Sequence, residues 1–331
     1  MKILFWGTPS YAVASLDALL SAGHDVVGVV SQPDRRRGRG NQLIPSAVKA
    51  RARDCGLPVF TPLCIRREEE CQRALAALGA DAYVVVAFGQ ILPAEVLNQP
   101  PLGCWNGHGS LLPRWRGAAP IQWSLMAGDP YTGVGIMAME VGLDTGPVLM
   151  EKSIAIGLLE NADQLATRLA ALTAELLVNA MAYIERVGEG DQERRWRRLG
   201  LQPQDTGGMT YARMLNKADF QIEWNLDALS VHRRVMGLYP GASSSWYGKK
   251  IKLLATEPLA PVLSAGEALA GTVIEVINGV GLTLACGGGA PLLLRRAQLE
   301  GKIAAEGTQL LQQLGAQPGD RIGESIKVPE A

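Results

Sequence analysis

The sequence is poor in the residues that build disulfide frameworks and metal centres. Five cysteines, Cys55, Cys64, Cys71, Cys104 and Cys286, are scattered through 331 residues, and none forms a Cys-x-x-Cys pair. Three histidines are too few to complete a zinc site with them, so no metal is expected. An odd, scattered set suits reduced thiols in a cytosol, each acting as a small buried apolar residue. Net charge is also lacking: 32 Lys and Arg balance 32 Asp and Glu. The whole chain therefore does not advertise a polyanionic partner, and any nucleic-acid surface must be local. Long apolar runs are missing too. The N-terminal run stops at Gly7-Thr8-Pro9, and no stretch reads as a signal peptide or as long and apolar enough to span a bilayer. A soluble, cytoplasmic protein without a membrane partner is expected, and a monomer, since no long unexplained apolar surface pattern occurs. The first turn, Gly7-Thr8-Pro9-Ser10-Tyr11-Ala12, lacks the Gly-x-Gly-x-x-Gly spacing that lets backbone approach a pyrophosphate, which sets NAD and FAD aside.

What is present is a globular balance, 47% hydrophobic and 19% charged, enough for two domains with a core in each. Short apolar runs alternate with helical patterns through the first half. Ile3 to Trp6, Val26 to Val30 and Tyr83 to Ala87 read as buried strands, and Val13, Leu16, Leu19 and Leu20 mark a helix between the first two. This alternation predicts an α/β fold, a Rossmann-like and mainly parallel sheet with functional loops at the carboxyl ends of its strands. Residues 162 to 186 carry one apolar stripe, Leu165, Leu169, Leu172, Leu176, Ala180 and Ile184, that ends at Gly188 and Gly190. Gly188 to Gly208 is polar, with Arg194-Arg195-Trp196-Arg197-Arg198 and a Pro203 break, and reads as a linker. Beyond it, five short strand-like runs between residues 243 and 295 are separated by glycines, which predicts a small β-barrel, OB-like. The expected division is 1–188 catalytic, 189–207 linker and 208–331 C-terminal barrel.

The densest chemistry lies in Leu102 to Gln122. Asn106 and His108 sit two apart after an apolar approach, so at a strand end both would point to one side. An amide donates to a carbonyl oxygen and a neutral imidazole accepts a proton, a pair suited to attack by an amine on a carbonyl. Asn-x-His alone is a common loop pattern. The second segment, Gly142-Leu143-Asp144-Thr145-Gly146-Pro147, follows the run Val134 to Val141 and reads as a turn leaving a strand. Its carboxylate could orient or charge a nearby imidazole, or serve as an ordinary Asp turn residue.

Taken together and in this order, the segments Asn106 to Gln122, Gln32-Pro33-Asp34 through Gly40, Val85 to Pro93, and Gly142 to Gly146 resemble the methionyl-tRNA formyltransferase family. The resemblance extends into Thr210-Tyr211 and Ile222-Glu223-Trp224 and weakens after about Gly266. It implies transfer of a formyl group from 10-formyltetrahydrofolate to the α-amine of initiator methionyl-tRNA. Asn106 would hold the formyl oxygen, His108 would take or relay the amine proton, and Asp144 would favour the productive imidazole. Ser110, Leu111, Leu112 and Pro113 match the folate-contacting loop. Phe88, Gly89, Gln90 and Ile91 match the loop that closes over the pterin, with backbone groups doing most of the recognition. Two positions depart from the family pattern. Gly107 stands where a β-branched residue is usual and loosens the backbone between the two candidates; Trp105 stands where an aliphatic one is usual, a tight fit for a buried strand.

Between Ser31 and Arg53 lie Arg35, Arg36, Arg37, Arg39, Lys49, Arg51 and Arg53 against Asp34 and no Glu. Gly38 and Gly40 suggest a mobile basic loop, and arginine forks suit phosphate and stack on bases. The resemblance implies that this loop enters the acceptor stem, with Arg39 at its key basic position. The Arg194–Arg198 cluster and Lys249, Lys250 and Lys252 would offer further phosphate contacts. Two other functions remain open at this point, formylation of a small amine such as a glycinamide ribonucleotide or an amino sugar, and tRNA binding without catalysis.

Overall fold

The computed structural model describes residues 1–37, 41–201, 203–205, 207–260 and 268–323. Contacts group them into two compact units, one of residues 1–120, 131–154 and 166–213, the other of 121–130, 155–165 and the chain from 214 onward.

The first unit is built on a seven-stranded sheet. Its strands are β1 (Lys2–Gly7), β2 (Asp25–Val30), β5 (Val59–Phe60), β6 (Ala82–Val86), β7 (Cys104–His108), β9 (Tyr131–Ala138) and β10 (Val148–Ala155), in the order β10-β9-β7-β6-β1-β2-β5. The run from β7 to β5 is parallel, and β9 is antiparallel to β7. Strands β1 and β6 are apolar at nearly every position because both faces are covered. Helices α1 (Val13–Ser21), α2 (Ala47–Asp54), α3 (Glu69–Ala77) and α4 (Ala94–Leu97) connect the first strands, and α5 (Pro120–Ala127) follows β7. Strand order reverses at β1, so the loops after β1, β6 and β7 open together at the carboxyl edge.

Helix α6 (Ala162–Val187) carries the expected stripe, with Leu165, Leu169, Leu177, Ala180, Met181 and Ile184 buried. It is long and apolar enough to cross a membrane by length and composition, which corrects the expectation that no stretch is. More than half of its apolar window is buried inside the protein, as in a core helix. Cys104 and Cys286 are buried as expected, whereas Cys55, Cys64 and Cys71 are half-buried.

Two segments expected to be irregular are ordered. Arg35–Arg37 (β3) and Gln42–Ile44 (β4) form a two-stranded antiparallel ladder, with Arg36 opposite Leu43. Gly38, Arg39 and Gly40 lie outside the described residues. Residues 189–213 group with the first unit, so the stretch expected to be a linker contains helix α7 (Gln192–Arg198). Farther on, β11 (Tyr211–Ala212) pairs parallel with β8 (Arg116–Gly117).

In the second unit β12 (Ser243–Trp246), β13 (Lys249–Pro258), β16 (Pro291–Leu299), β15 (Gly281–Ala285) and β14 (Val273–Ile277) form an antiparallel sheet in that order, with β17 (Ala305–Glu306) beside β16. The strand-like segment 320–323 closes it. Val273 N–H donates to Asp320 O and Ile322 N–H to Gly271 O on one side, and Gly323 N–H donates to Ser245 O on the other. The two edge strands are thereby joined, as a barrel requires. Helix α8 (Ala228–Gly237) supplies Val231, Val235 and Met236 to the core, and α9 (Gly307–Leu314) supplies Leu310 and Leu314.

Candidate active site

Strand β7 sets the site. It pairs with β6 through Val85 opposite Asn106, and with β9 through Asn106 opposite Met137 and His108 opposite Gly135. Period-two alternation then turns Asn106 and His108 to one face and Gly107 to the other. Trp105 fits the sheet without loss: it is fully buried, and its indole N–H donates to Leu102 O at 2.9 Å. Gly107 is required rather than loosening. A Cβ placed there would lie 2.5 Å from Cγ2 of Thr173 on α6.

Asp144 reaches Asn106 and His108 from the loop between β9 and β10. Its φ is +53°, in the left-handed region that Asp tolerates better than most residues. Oδ1 is 3.4 Å from Asn106 Nδ2, and Oδ2 is 3.6 Å from His108 Nδ1. Oδ2 also accepts from the backbone N–H of Gly117 at 2.7 Å. The structure thus brings all three candidate catalytic side chains together. His108 is only 5% exposed, and its Nε2 lies 3.0 Å from Trp115 O. A carbonyl can only accept, so this bond requires a proton on Nε2, and Nδ1 is the ring nitrogen that faces Asp144.

The two loops matched to a folate site flank this group. Buried Ser110 donates to Arg114 O at 2.6 Å, so its hydroxyl closes the 110–114 turn. Leu112 is buried, and Leu111 and Pro113 are half-buried. In the second loop the Phe88 carbonyl accepts from Thr8 Oγ1 at 2.8 Å and from Gln32 Nε2 at 3.3 Å. Phe88 is buried edge-on against Trp6, ring centroids 5.1 Å apart. The Gln90 side chain is occupied within the protein: Oε1 accepts from Ile65 N, and Nε2 donates to Pro62 O and Leu63 O. What this loop leaves for a ligand is backbone near Gly89 and the exposed side chain of Ile91.

Of the basic residues, Arg35 and Arg36 are exposed on β3, and Arg36 donates to Asn41 O. Arg37 is placed on the same strand by its backbone. Lys249 and Lys250 are exposed at the start of β13. Lys49 is not available for phosphate: it is buried and paired with Asp34 Oδ1 at 2.6 Å. Within the Arg194–Arg198 cluster, Arg195 is withdrawn in the same way. Arg195 is buried and donates to Pro101 O, Arg194 pairs with Asp191, Arg197 with Glu193, and Arg198 donates to the carbonyls of Gly188 and Glu189. Arg195 thus ties α7 to the segment before β7, while Arg194 and Arg197 remain largely exposed.

Sequence reasoning misses three partners of the site. Trp115 O and Gly117 N are backbone atoms, and no residue type announces them. Gln204 lies in the stretch read as linker, yet it contacts the carbonyls of Asp144 and Gly146 and the side chain of Arg116. Among the described residues, no group of three or more His, Cys, Asp or Glu side chains is arranged to hold a metal ion.

Residues 1–181 match the family described as Formyl transferase, and residues 214–315 match Formyl transferase, C-terminal domain. The chain is similar to the methionyl-tRNA formyltransferase of Synechococcus sp. (strain WH7803), 58% identical with 99% of this chain and 100% of that protein covered. The similarity to that of Synechococcus sp. (strain CC9605) is 59%, over 98% and 100% of the two chains. Among solved structures, an N-formyltransferase from Helicobacter canadensis, crystallised with folinic acid and dTDP-3-aminofucose, shares the fold with a TM-score of 0.63. That alignment has 15% identity and covers 89% of this chain and 98% of that one.

Proposed function

The chain belongs to the formyltransferase family, in its methionyl-tRNA branch, and from that premise we propose how its residues carry the reaction. The enzyme transfers a formyl group from 10-formyltetrahydrofolate to the α-amino group of methionyl initiator tRNA. The observation that carries the residue assignment is the convergence of Asn106, His108 and Asp144 at the carboxyl end of β7.

The amine nitrogen attacks the formyl carbon, the carbonyl oxygen becomes an oxyanion, and the bond from that carbon to N10 of the folate breaks. Asn106 has two amide N–H groups. One is directed at Asp144, leaving the other for the formyl oxygen, where one preorganised donor is worth roughly 3 kcal/mol. The amine must lose a proton. In the neutral ring Nδ1 of His108 holds the lone pair that takes this proton, and the protonated ring can then donate at both nitrogens, to Trp115 O and towards Asp144 Oδ2. The leaving N10 takes that proton back, so none accumulates.

The loops 88–91 and 110–113 hold the donor. A pterin presents a flat edge of donors and acceptors, which suits exposed backbone near Gly89 braced from behind by Thr8, Gln32 and Gln90. Arg35, Arg36 and Arg37 on β3, together with Arg39, and Lys249 and Lys250 on the barrel, contact tRNA phosphates. Residues 1–188 perform the chemistry and 208–331 add tRNA contacts. The protein works as a monomer in the cytoplasm, where initiator tRNA is charged.

The test is direct. Wild-type protein incubated with labelled 10-formyltetrahydrofolate and methionyl initiator tRNA should yield labelled formylmethionyl-tRNA. Asn106→Ala and His108→Ala should lower kcat by about 100-fold or more while tRNA affinity stays near wild type. Transfer to a small amine instead of tRNA would reject the substrate assignment. Affinity losses as large as the turnover losses would reject the two roles.

A further inference from the structure

The Gln204 amide uses all of its hydrogen-bonding capacity inside one small cage. Its two N–H groups donate to Asp144 O at 2.9 Å and Gly146 O at 2.6 Å. Its oxygen accepts from Arg116 Nε at 3.2 Å and from the terminal Nη2 at 2.7 Å. An amide offers two donors and two lone pairs, and here every one is matched. The carbonyls it grips belong to Asp144, whose φ is in the left-handed region, and to Gly146 two residues on. The guanidinium it grips belongs to the residue before Gly117, whose N–H holds the Asp144 carboxylate. Arg116 is 5% exposed, and its side-chain partners among the described residues, Gln204 and Met209, are both neutral. Pro203 and Gln204 also line a cavity of about 290 Å³ shared with Leu112 of the folate-matched loop.

We propose that Gln204 is a positioning residue for formyl transfer: it holds the Asp144 turn and the Arg116–Gly117 turn in one register, and so fixes where the carboxylate meets His108 and Asn106. This rests on the formyl-transfer reading above. The stretch after α7 is on this account part of the catalytic apparatus and not a tether. Without the clamp, the Asp144 turn keeps its connection to Gly117 but loses the contacts that hold the carbonyls of Asp144 and Gly146. Small displacements of an orienting group lower the rate of the chemical step without changing how substrates bind.

The experiment compares full-length wild type with Gln204→Ala, Gln204→Met and Gln204→Glu in steady-state formylation of methionyl-tRNA. Turnover is expressed per 10-formyltetrahydrofolate-binding site, so a fraction of unfolded chains does not count as slow chemistry. Alanine and methionine are expected to lower kcat by about 10- to 100-fold, with KM for either substrate within about threefold of wild type. Glutamate keeps an acceptor for Arg116 but faces two carbonyls with carboxylate oxygens, so it should fall as far as alanine. Wild-type kcat in Gln204→Ala and Gln204→Met overturns the proposal, as does a loss that appears only in KM. Full activity in Gln204→Glu would also overturn it, since the grip on Arg116 alone would then suffice. A wild type that transfers no formyl group would instead reject the functional reading.

Discussion

Gly107 stands between the two side chains proposed to react, and its own missing side chain answers to the far face of the strand. Thr173 Oγ1 donates to Leu169 O at 2.7 Å, so that same oxygen accepts from Tyr11 OH, also at 2.7 Å. This pair of bonds locks the Thr173 rotamer and drives Cγ2 into the space a residue at 107 would fill. Gly107→Ala should therefore destabilise the protein by about 1–3 kcal/mol through overpacking. Thr173→Ser removes the methyl and keeps the hydroxyl, so the same alanine should cost much less in that background. Denaturant midpoints of the two single variants and the double variant measure the coupling, and simple additivity would reject the contact. Read from sequence, Gly107 implies a loosened backbone, because the pattern along β7 carries no trace of a helix that packs 66 residues later. Asn106, His108 and Asp144 are legible because their side chains carry chemistry. The Trp115 carbonyl, the Gly117 N–H and Gln204 are not, because two are backbone atoms and the third is a polar residue in a polar stretch.

Strands buried on both faces are the elements most open to sequence reading. Ile3 to Trp6 and Tyr83 to Val86 are apolar at consecutive positions, and both lie in the middle of the parallel sheet. The β3–β4 hairpin is the opposite case. It has no core face, its order comes from cross-strand pairing of Arg35 with Ile44 and Arg36 with Leu43, and charge alone predicts a loose loop. Its base is pinned by features that look like surface in the sequence: the buried Lys49–Asp34 pair and the Ser31–Ser46 hydroxyl contact at 2.6 Å. A pinned hairpin presents its arginines at a fixed angle, which suits groove contacts better than a free loop does. Replacing Arg35 and Arg36 together by Ala should weaken methionyl-tRNA binding and reduce the slope of log affinity against log salt by about 1.5, near 0.7–0.9 per phosphate contact. kcat at saturating tRNA should hardly change. An unchanged salt slope would mean that these two side chains do not meet phosphate.

At the scale of the molecule, acid acts on both units through one residue type. Burial holds the His24 imidazole, in the first unit, below its ordinary value of 6.5, and burial does the same to His232 in the second. His232 is fully buried and satisfied when neutral: Nε2–H donates to Leu158 O at 2.7 Å, and Nδ1 accepts from Thr256 Oγ1 at 3.0 Å. A folded-state pKa below the unfolded one means that the unfolded chain takes up protons first as pH falls. The stability tied to each ring is therefore intact above 6.5 and is lost as pH falls from 6.5 through the depressed folded value. Asp227, held below 3.8 chiefly by the Ser230 hydroxyl, loses its contribution only in a lower window. The melting temperature should accordingly drop between about pH 7.5 and 5.5, well before carboxylates titrate. His232→Gln keeps a donor for Leu158 and an acceptor for Thr256 but cannot charge, so it should flatten that drop while leaving the part due to His24. Calorimetry of wild type and variant across this range decides the matter: parallel melting curves against pH would show that His232 takes no proton in the unfolding reaction.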